Sequence, residues 1–275
     1  KYIITINKTY FEFMIFTNFN FLTRSLLLFV FFFILSGYKN NKTNILYDGF
    51  TISYDVSFNN FHLGVSEHQL IQKSSNSYTH KALIYATGIV GLFVKNKVTG
   101  SSHYQILKNK IVPSHYDYNN SNQKRKDNYS IIFDNKNNTV TRTNDNIKHN
   151  ITDNKQDILS LIPAIMLALQ RKDKNIKFTV IDNKRIGEYL LKQTKDETLK
   201  TDKGEIKTQI LESRVRNDRY HFILWCAKKY DFLPIKIMRI KDNGDELLLK
   251  LNRINGQEIN FIEPPDEDEN DEFKF

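Results

Sequence analysis

The residue types that most often carry out catalysis or bind metals are scattered along this chain. Its histidines have none of the spacings, such as HExxH, that bring two imidazoles to one metal ion. They are His62, His68, His80, His103, His115, His149 and His221. We therefore predict structural or surface histidines, no metal site and no bound cofactor.

The single cysteine, Cys226, excludes an intrachain disulfide and a four-cysteine zinc site. It lies five positions after His221 in a segment with strand-like alternation, so the two side chains are expected on opposite faces. We predict a buried, inert thiol. No G-x-S-x-G turn and no phosphate-binding glycine loop occurs. The sequence therefore predicts a protein that is not an enzyme, although carboxylates that meet only in space are left open.

The charge of the chain does not predict a nucleic-acid partner. The net charge is +9 at pH 7, and the basic residues are spread along the chain instead of marking one face. The densest group, Lys124-Arg125-Lys126, lies in a run of Asn, Ser and Gln that is typical of a loop. We interpret the positive charge as a solvated surface.

The first 37 residues have the order of a secretory signal peptide. A polar and basic segment ending at Arg24 precedes the ten apolar residues Leu26–Leu35, and small residues follow. We predict that residues 1–37 direct export to a bacterial periplasm, with residues 1–13 as an extension that is not native. Because Leu35 is a poor residue for a cleavage site, an uncleaved signal that anchors the chain in the inner membrane is the alternative.

The rest of the 275-residue chain is long enough for one domain with its own core, predicted at 45–256. Residues 50–58 alternate large apolar with small or polar side chains, as expected for a strand with one buried face. Further strands are predicted at 63–65, 76–86, 103–107, 110–118, 128–134, 139–143, 176–182, 186–194, 205–216, 219–227, 234–241 and 245–254. Residues 257–275, rich in acids, are predicted to be a disordered tail.

One segment near 155–171 has apolar residues at helical rather than alternating spacing. Pro163 predicts a bend there, or a helix that begins close to it. A shorter helix is predicted at 88–94. We expect a mainly β (α+β) fold, in which a curved antiparallel sheet forms an incomplete β-barrel wrapped around the central helix.

Several short landmarks, taken in order over residues 48–254, resemble a bacterial periplasmic family catalogued as domain of unknown function 3108. No single landmark is specific, and the resemblance depends on their order and spacing. They are Tyr54-Asp55-Val56 with Gly64, Ala86-Thr87-Gly88-Ile89, Ile111-Val112-Pro113-Ser114-His115-Tyr116, Gln156-Asp157-Ile158-Leu159-Ser160, Asp182-Asn183-Lys184-Arg185 with Tyr189, Leu224-Trp225, Leu233-Pro234-Ile235-Lys236-Ile237 and Asp242-Asn243-Gly244.

This resemblance implies a fold similar to the periplasmic lipoprotein localisation factors, in which an incomplete barrel shelters acyl chains. It supplies no catalytic residues, because the family has no established activity. Lipid or lipoprotein binding is therefore an analogy at the level of the fold.

The function that these patterns favour is non-enzymatic binding of a hydrophobic ligand, a lipid or lipoprotein acyl chain, or of an envelope partner. The helix residues expected either to seal a dry core or to line a cleft are Ile162, Ile165, Met166 and Leu169. Membrane contact is expected only through an uncleaved signal or peripherally. The alternatives are a small outer-membrane β-barrel and a protein-binding envelope assembly factor.

Overall fold

The computed structural model describes residues 45–262, except 122–127, 144–145, 147, 152–153, 184 and 215–219. The predicted signal segment, residues 1–37, lies outside the described residues, as do residues 263–275 of the predicted tail. Among the described residues, no helix is both long and apolar enough to cross a membrane.

The alternating segments form strands, and two of the three α-helices in the described residues lie where helical spacing predicts them. The helices are α1 (Ile45–Asp48), α2 (Gly88–Phe93) and α3 (Leu161–Gln170), and Lys228–Tyr230 forms a 3₁₀ turn. The strands are β1 (Phe50–Phe58), β2 (Phe61–Ser74), β3 (Ser77–Ala86), β4 (Lys97–Leu107), β5 (Lys110–Asn120), β6 (Tyr129–Asp134), β7 (Thr139–Arg142), β8 (Lys148–Asn150), β9 (Lys155–Gln156), β10 (Ile176–Ile181), β11 (Ile186–Thr201), β12 (Gly204–Arg214), β13 (Tyr220–Ala227), β14 (Leu233–Lys241), β15 (Glu246–Ile254) and β16 (Gln257–Glu258).

All strands belong to one sheet. Its order is β8-β7-β6-β5-β4-β3-β2-β1-β15-β14-β13-β12-β11-β10-β9, and β16 adds to β15. Neighbours are antiparallel except β9 and β10, which are parallel. Strands β8 and β9 occupy the two edges, so the sheet is open. The prediction of one antiparallel sheet that forms an incomplete barrel is confirmed.

The sheet curls around α3. This helix packs against β5, β10 and β14, which lie far apart in the strand order, so the sheet must bend to bring all three to it. Most of α3 is buried, with Ile165 and Met166 in the main core beside Tyr54 and Ile235. The helix is thus an interior element rather than a cover on a flat sheet.

The helix predicted near 155–171 is shorter than expected. It begins at Leu161, and Lys155–Gln156 instead pairs with β10 as an edge strand. Pro163 then falls in the first helical turn, where its missing N–H costs no helical hydrogen bond. The sequence correctly marks Pro163 as a boundary, but apolar spacing alone extends the helix too far.

Several strand boundaries also differ from prediction. Strand β2 extends over Phe61–Ser74 rather than only 63–65, and β4 begins at Lys97 rather than at residue 103. Strand β11 continues past residue 194, through mostly exposed and polar residues that are held by backbone pairing with β12.

Residues 257–262, predicted to belong to a disordered tail, are instead ordered, because Gln257–Glu258 pairs with β15 and Ile259 is buried. Phe261 then bridges to Thr201, so residues 257–262 belong to the domain.

Candidate functional site

A short connector, residues 156–160, joins edge strand β9 to α3 and ties distant strands together. Gln156 donates from Nε2 to the Ile111 carbonyl of β5 at 3.1 Å. Ser102 of β4 donates from Oγ to Asp157 Oδ2 at 2.7 Å. Because β9 itself pairs with β10, the connector holds β4, β5 and β10 around the helix entrance.

The Asp157 carboxylate is the centre of this connector. Its Oδ1 accepts hydrogen bonds from the backbone N–H groups of Leu159 and Ser160, both at 2.9 Å. Burial raises the pKa of Asp157, and these hydrogen bonds together with that from Ser102 oppose the increase. The carboxylate thereby orders the turn that precedes α3.

A chain of buried imidazoles leads from the connector into the sheet. His80 donates from Nδ1 to the Leu159 carbonyl at 3.0 Å, which leaves its Nε2 as an acceptor 3.2 Å from His68 Nδ1. His68 Nε2 then accepts from Ser66 Oγ at 2.9 Å. Burial, and next the neighbouring His80, lowers the pKa of His68 to about 3. Burial lowers the pKa of His80 to about 4, so both rings are neutral near pH 7.

A cavity of about 430 Å³ lies between the start of α3 and the inner face of the sheet. On the helix side it is lined by Leu161, Ile162 and Ile165. Facing them across β13, β14 and β15 are Leu224, Ile237 and Leu249, which are aligned in register. The floor of the cavity is therefore apolar.

The cavity opens toward the start of β13 and the end of β14, where polar residues lie. Along β14, Ile235 is fully buried, whereas Ile237 and Arg239 are only partly buried. Arg239 is aligned with Phe222, which is in turn aligned with Ser213 of β12, and all three line the cavity. The polar side chains of Ser213 and Arg239, on either side of Phe222, thus border the apolar floor on its open side.

Helix α2 adds exposed apolar residues to the same rim. It connects β3 to β4, whose residues Ile84 and Val98 line the cavity. Ile89, Leu92 and Phe93 of α2 are 69%, 68% and 82% exposed. A cluster of such exposed apolar side chains typically marks a surface that binds a ligand, a membrane or a partner.

The four helix residues predicted as ligand contacts divide into two pairs. Ile162 and Ile165 line the cavity. Met166 and Leu169 are buried in the main core and are not among the cavity-lining residues. Apolar residues at helical spacing identify the buried face of a helix. They do not distinguish the part of that face that lines a cavity from the part that packs against other side chains.

A larger and more open depression, about 670 Å³, lies on the outer face of β1 to β5 and β15. Its walls carry charges of both signs, including Glu67, Lys81, Asp117 and Arg253. Such a mixed and exposed surface lacks the apolar enclosure that binds small hydrophobic molecules. We therefore regard the inner cavity as the candidate site.

The chemically reactive residues lie apart from one another. Cys226 is buried in the main core, where burial raises the pKa of its thiol well above the usual range. His221 lies beside Glu212, with its Nε2 3.4 Å from Oε2. In the part of the chain that the structure describes, no three His, Cys, Asp or Glu residues are grouped to hold a metal ion.

Sequence reasoning missed Ser213, His68 and Arg239 as cavity residues. Ser213 and Arg239 belong to strands that alternation predicts, whereas His68 lies beyond the strand predicted at 63–65. Alternation also places Phe222 and Leu224 on one face. The missing information was the register between hairpins, which aligns Ser213, Phe222 and Arg239 across three strands.

The fold and the cavity define a class, an open barrel-like sheet that encloses a helix. A solved structure, described as a beta-barrel-like protein of domain of unknown function DUF1849 from Brucella abortus, is similar to this chain with a TM-score of 0.52. The similarity covers 78% of this chain and 98% of that one at 7% identity, so it concerns the fold alone.

The chain belongs to the family described as protein of unknown function (DUF3108), which matches residues 53–250. The resemblance inferred from the ordered landmarks is therefore confirmed. Among the curated proteins, none matches this sequence.

Proposed function

We propose that this protein binds a hydrophobic ligand, a lipid or lipoprotein acyl chain, in the cavity between α3 and the sheet. The observation that carries the proposal is the apolar void of about 430 Å³ beside Ile162 and Ile165. Well-packed interiors leave few voids larger than a water molecule, and small-molecule pockets span about 300–1,000 Å³. Burial of an acyl chain contributes about 0.8 kcal/mol per methylene group, so a cavity of this size can hold one firmly.

The exposed rim supports a route for the ligand. Ile84 and Val98 connect the cavity lining to α2, where Leu92 and Phe93 extend into solvent. Exposed apolar side chains at the same end of the sheet as Ile84 and Val98 would lower the cost of moving a methylene chain from a lipid surface toward the cavity. Contact with the membrane would then be peripheral.

The role we propose is binding rather than catalysis, in the bacterial periplasm. Export is supported by the signal-like order of residues 24–37. The description of the matched family names no activity. An envelope protein that delivers or receives the ligand would be the natural partner.

The proposal is tested by filling the cavity. Ile162→Trp places an indole in the void, and we expect the affinity for dodecanoate, measured by displacement of an environment-sensitive dye, to fall at least about tenfold. The matched control is Ile132→Trp, because Ile132 is an exposed strand residue outside the cavity lining. Equal affinities in the wild type and Ile162→Trp would contradict binding in this cavity.

A further inference from the structure

The row at the cavity mouth contains the buried hydroxyl of Ser213. Ser213 is only 1% exposed and lines the cavity, and among the described residues its Oγ has no hydrogen-bond partner. A buried hydroxyl without a partner carries a desolvation penalty that native proteins usually avoid. Its position therefore suggests that a ligand atom completes its hydrogen bonding.

The guanidinium group of Arg239 lies in the same row. Arg239 packs with its Cζ 4.8 Å from the centre of the Tyr220 ring, and its Nε is buried. Within the described part of the chain, Arg239 forms no hydrogen bond and no ion pair. A stacked, partly desolvated guanidinium retains its directional donors for a carboxylate or phosphate.

The second arginine at this mouth is already neutralised. Arg185 also lines the cavity, but its Nε is 3.4 Å from Asp182 Oδ2. The two arginines lie over the same Tyr220 ring, with Arg185 farther away at 5.8 Å. Among the described residues that line the cavity, the positive charge without a counter-ion therefore resides on Arg239, on the same face of the sheet as Ser213.

Along β14, the side chains that line the cavity change from the charged Arg239 at the mouth to the apolar Ile237 deeper inside. Leu224, Ile237 and Leu249 form the row next to Ser213 and Arg239, and this deeper row is entirely apolar. A ligand that is complementary to both rows must have an apolar chain and an anionic group at one end.

We propose that the ligand is an anionic amphiphile, whose acyl chain lies on the apolar row and whose carboxylate or phosphate accepts hydrogen bonds from Arg239 and Ser213. This inference rests on the proposed function, because it requires that the cavity binds an acyl chain. It adds the orientation of the ligand and the chemistry of its head group.

The test compares three probes with one chain length, dodecanoate, dodecyl phosphate and 1-dodecanol, on the full chain. We expect at least one of the two anions to bind about tenfold more tightly than the alcohol. Whichever anion binds more tightly identifies the head group as carboxylate or phosphate. Inorganic phosphate at millimolar concentration is expected not to displace dodecyl phosphate, because the apolar row contributes to binding.

The variant Arg239→Met removes the charge and keeps an unbranched side chain. We expect it to abolish the preference for anions and to change dodecanol affinity by less than about twofold. Ser213→Ala should reduce the preference by a smaller factor. Arg253→Met is the matched control, because Arg253 is paired with Glu258 outside the inner cavity and should leave the preference intact.

The outcomes separate the two proposals. Equal binding of all three probes by the wild type would overturn the head-group inference and leave acyl binding standing. Failure of all three probes to bind would overturn the proposed function itself. Loss of the preference in Arg253→Met as well as in Arg239→Met would overturn a local site in favour of general electrostatics. Displacement by inorganic phosphate alone would overturn the amphiphile as the ligand.

Discussion

At the scale of single residues, Gly64 shows how closely two strands can approach. It lies in β2 opposite Val56 and Ala86, and a Cβ at this position would lie 2.1 Å from the Tyr85 carbonyl oxygen. The obstructing atom belongs to the backbone of a paired strand, so it cannot move aside without disturbing the sheet. The glycine among the family landmarks therefore has a physical cause.

We predict that Gly64→Ala lowers the free energy of unfolding by about 2–3 kcal/mol. The measurement is the midpoint of urea unfolding. Gly100→Ala is the control, since the nearest atoms to its added Cβ belong to the side chains of Leu159 and Tyr116, which can shift. A Gly64→Ala midpoint no lower than that of Gly100→Ala would show that β2 and β3 are not held this close.

The buried imidazoles predict a dependence of stability on pH. The pKa values of His68 and His80 in the folded protein, about 3 and about 4, lie below the ordinary 6.5. Between pH 6.5 and pH 5 the unfolded chain therefore binds protons that the folded protein does not. Each histidine should lower the free energy of unfolding by about 1.1 kcal/mol per pH unit averaged over this range, a slope that approaches about 1.4 toward pH 5 and fades above about pH 7.5.

Urea unfolding at several pH values measures this slope. The double variant His68→Gln and His80→Gln should flatten it, whatever its stability at pH 7, whereas His103→Gln at a more exposed site should not. A steep slope that survives in the double variant would mean that other groups cause the acid sensitivity.

At the scale of elements, the short connector before α3 links strands that are distant in sequence. Sequence reasoning recognised residues 156–160 as a landmark but assigned them to the helix, because their apolar residues continue the helical spacing. The hydrogen bonds of Asp157 instead turn the chain there. Those bonds involve Ser102, a residue distant in sequence, so only the folded structure could reveal them.

We predict that Asp157→Ala lowers the free energy of unfolding by about 3 kcal/mol, because three hydrogen bonds to a buried carboxylate are lost. Asp117→Ala is the matched control. Asp117 also accepts hydrogen bonds from side chains, those of Ser130 and His115, but it is half exposed, so water can replace it. Thermal unfolding of both variants compares them directly, and an equal loss would argue against a special role for the connector.

At the scale of the whole molecule, the sequence predicted the architecture better than the site. Alternation and turn residues predict local hairpins, and hairpins in sequence can form only a sheet whose strands largely follow chain order. Helical spacing predicts the interior element, α3. Register and curvature depend on many weak contacts between distant strands, and they decide that Arg239 rather than Met166 borders the cavity.

The openness of the sheet is the property that links fold to proposed function. Strands β8 and β9 end the sheet without pairing to each other, and α3 fills only part of the enclosed space. The space beside Ile162 is left for a ligand.

The most direct measurement is native mass spectrometry of the full chain, produced in a bacterial host and purified without detergent. We expect the wild type to carry an added mass that matches a lipid or acylated peptide, and Ile162→Trp to lack it. Ile132→Trp should retain the added mass. A wild-type protein of bare polypeptide mass, which also takes up no added dodecanoate, would contradict the proposal that the cavity holds an acyl chain.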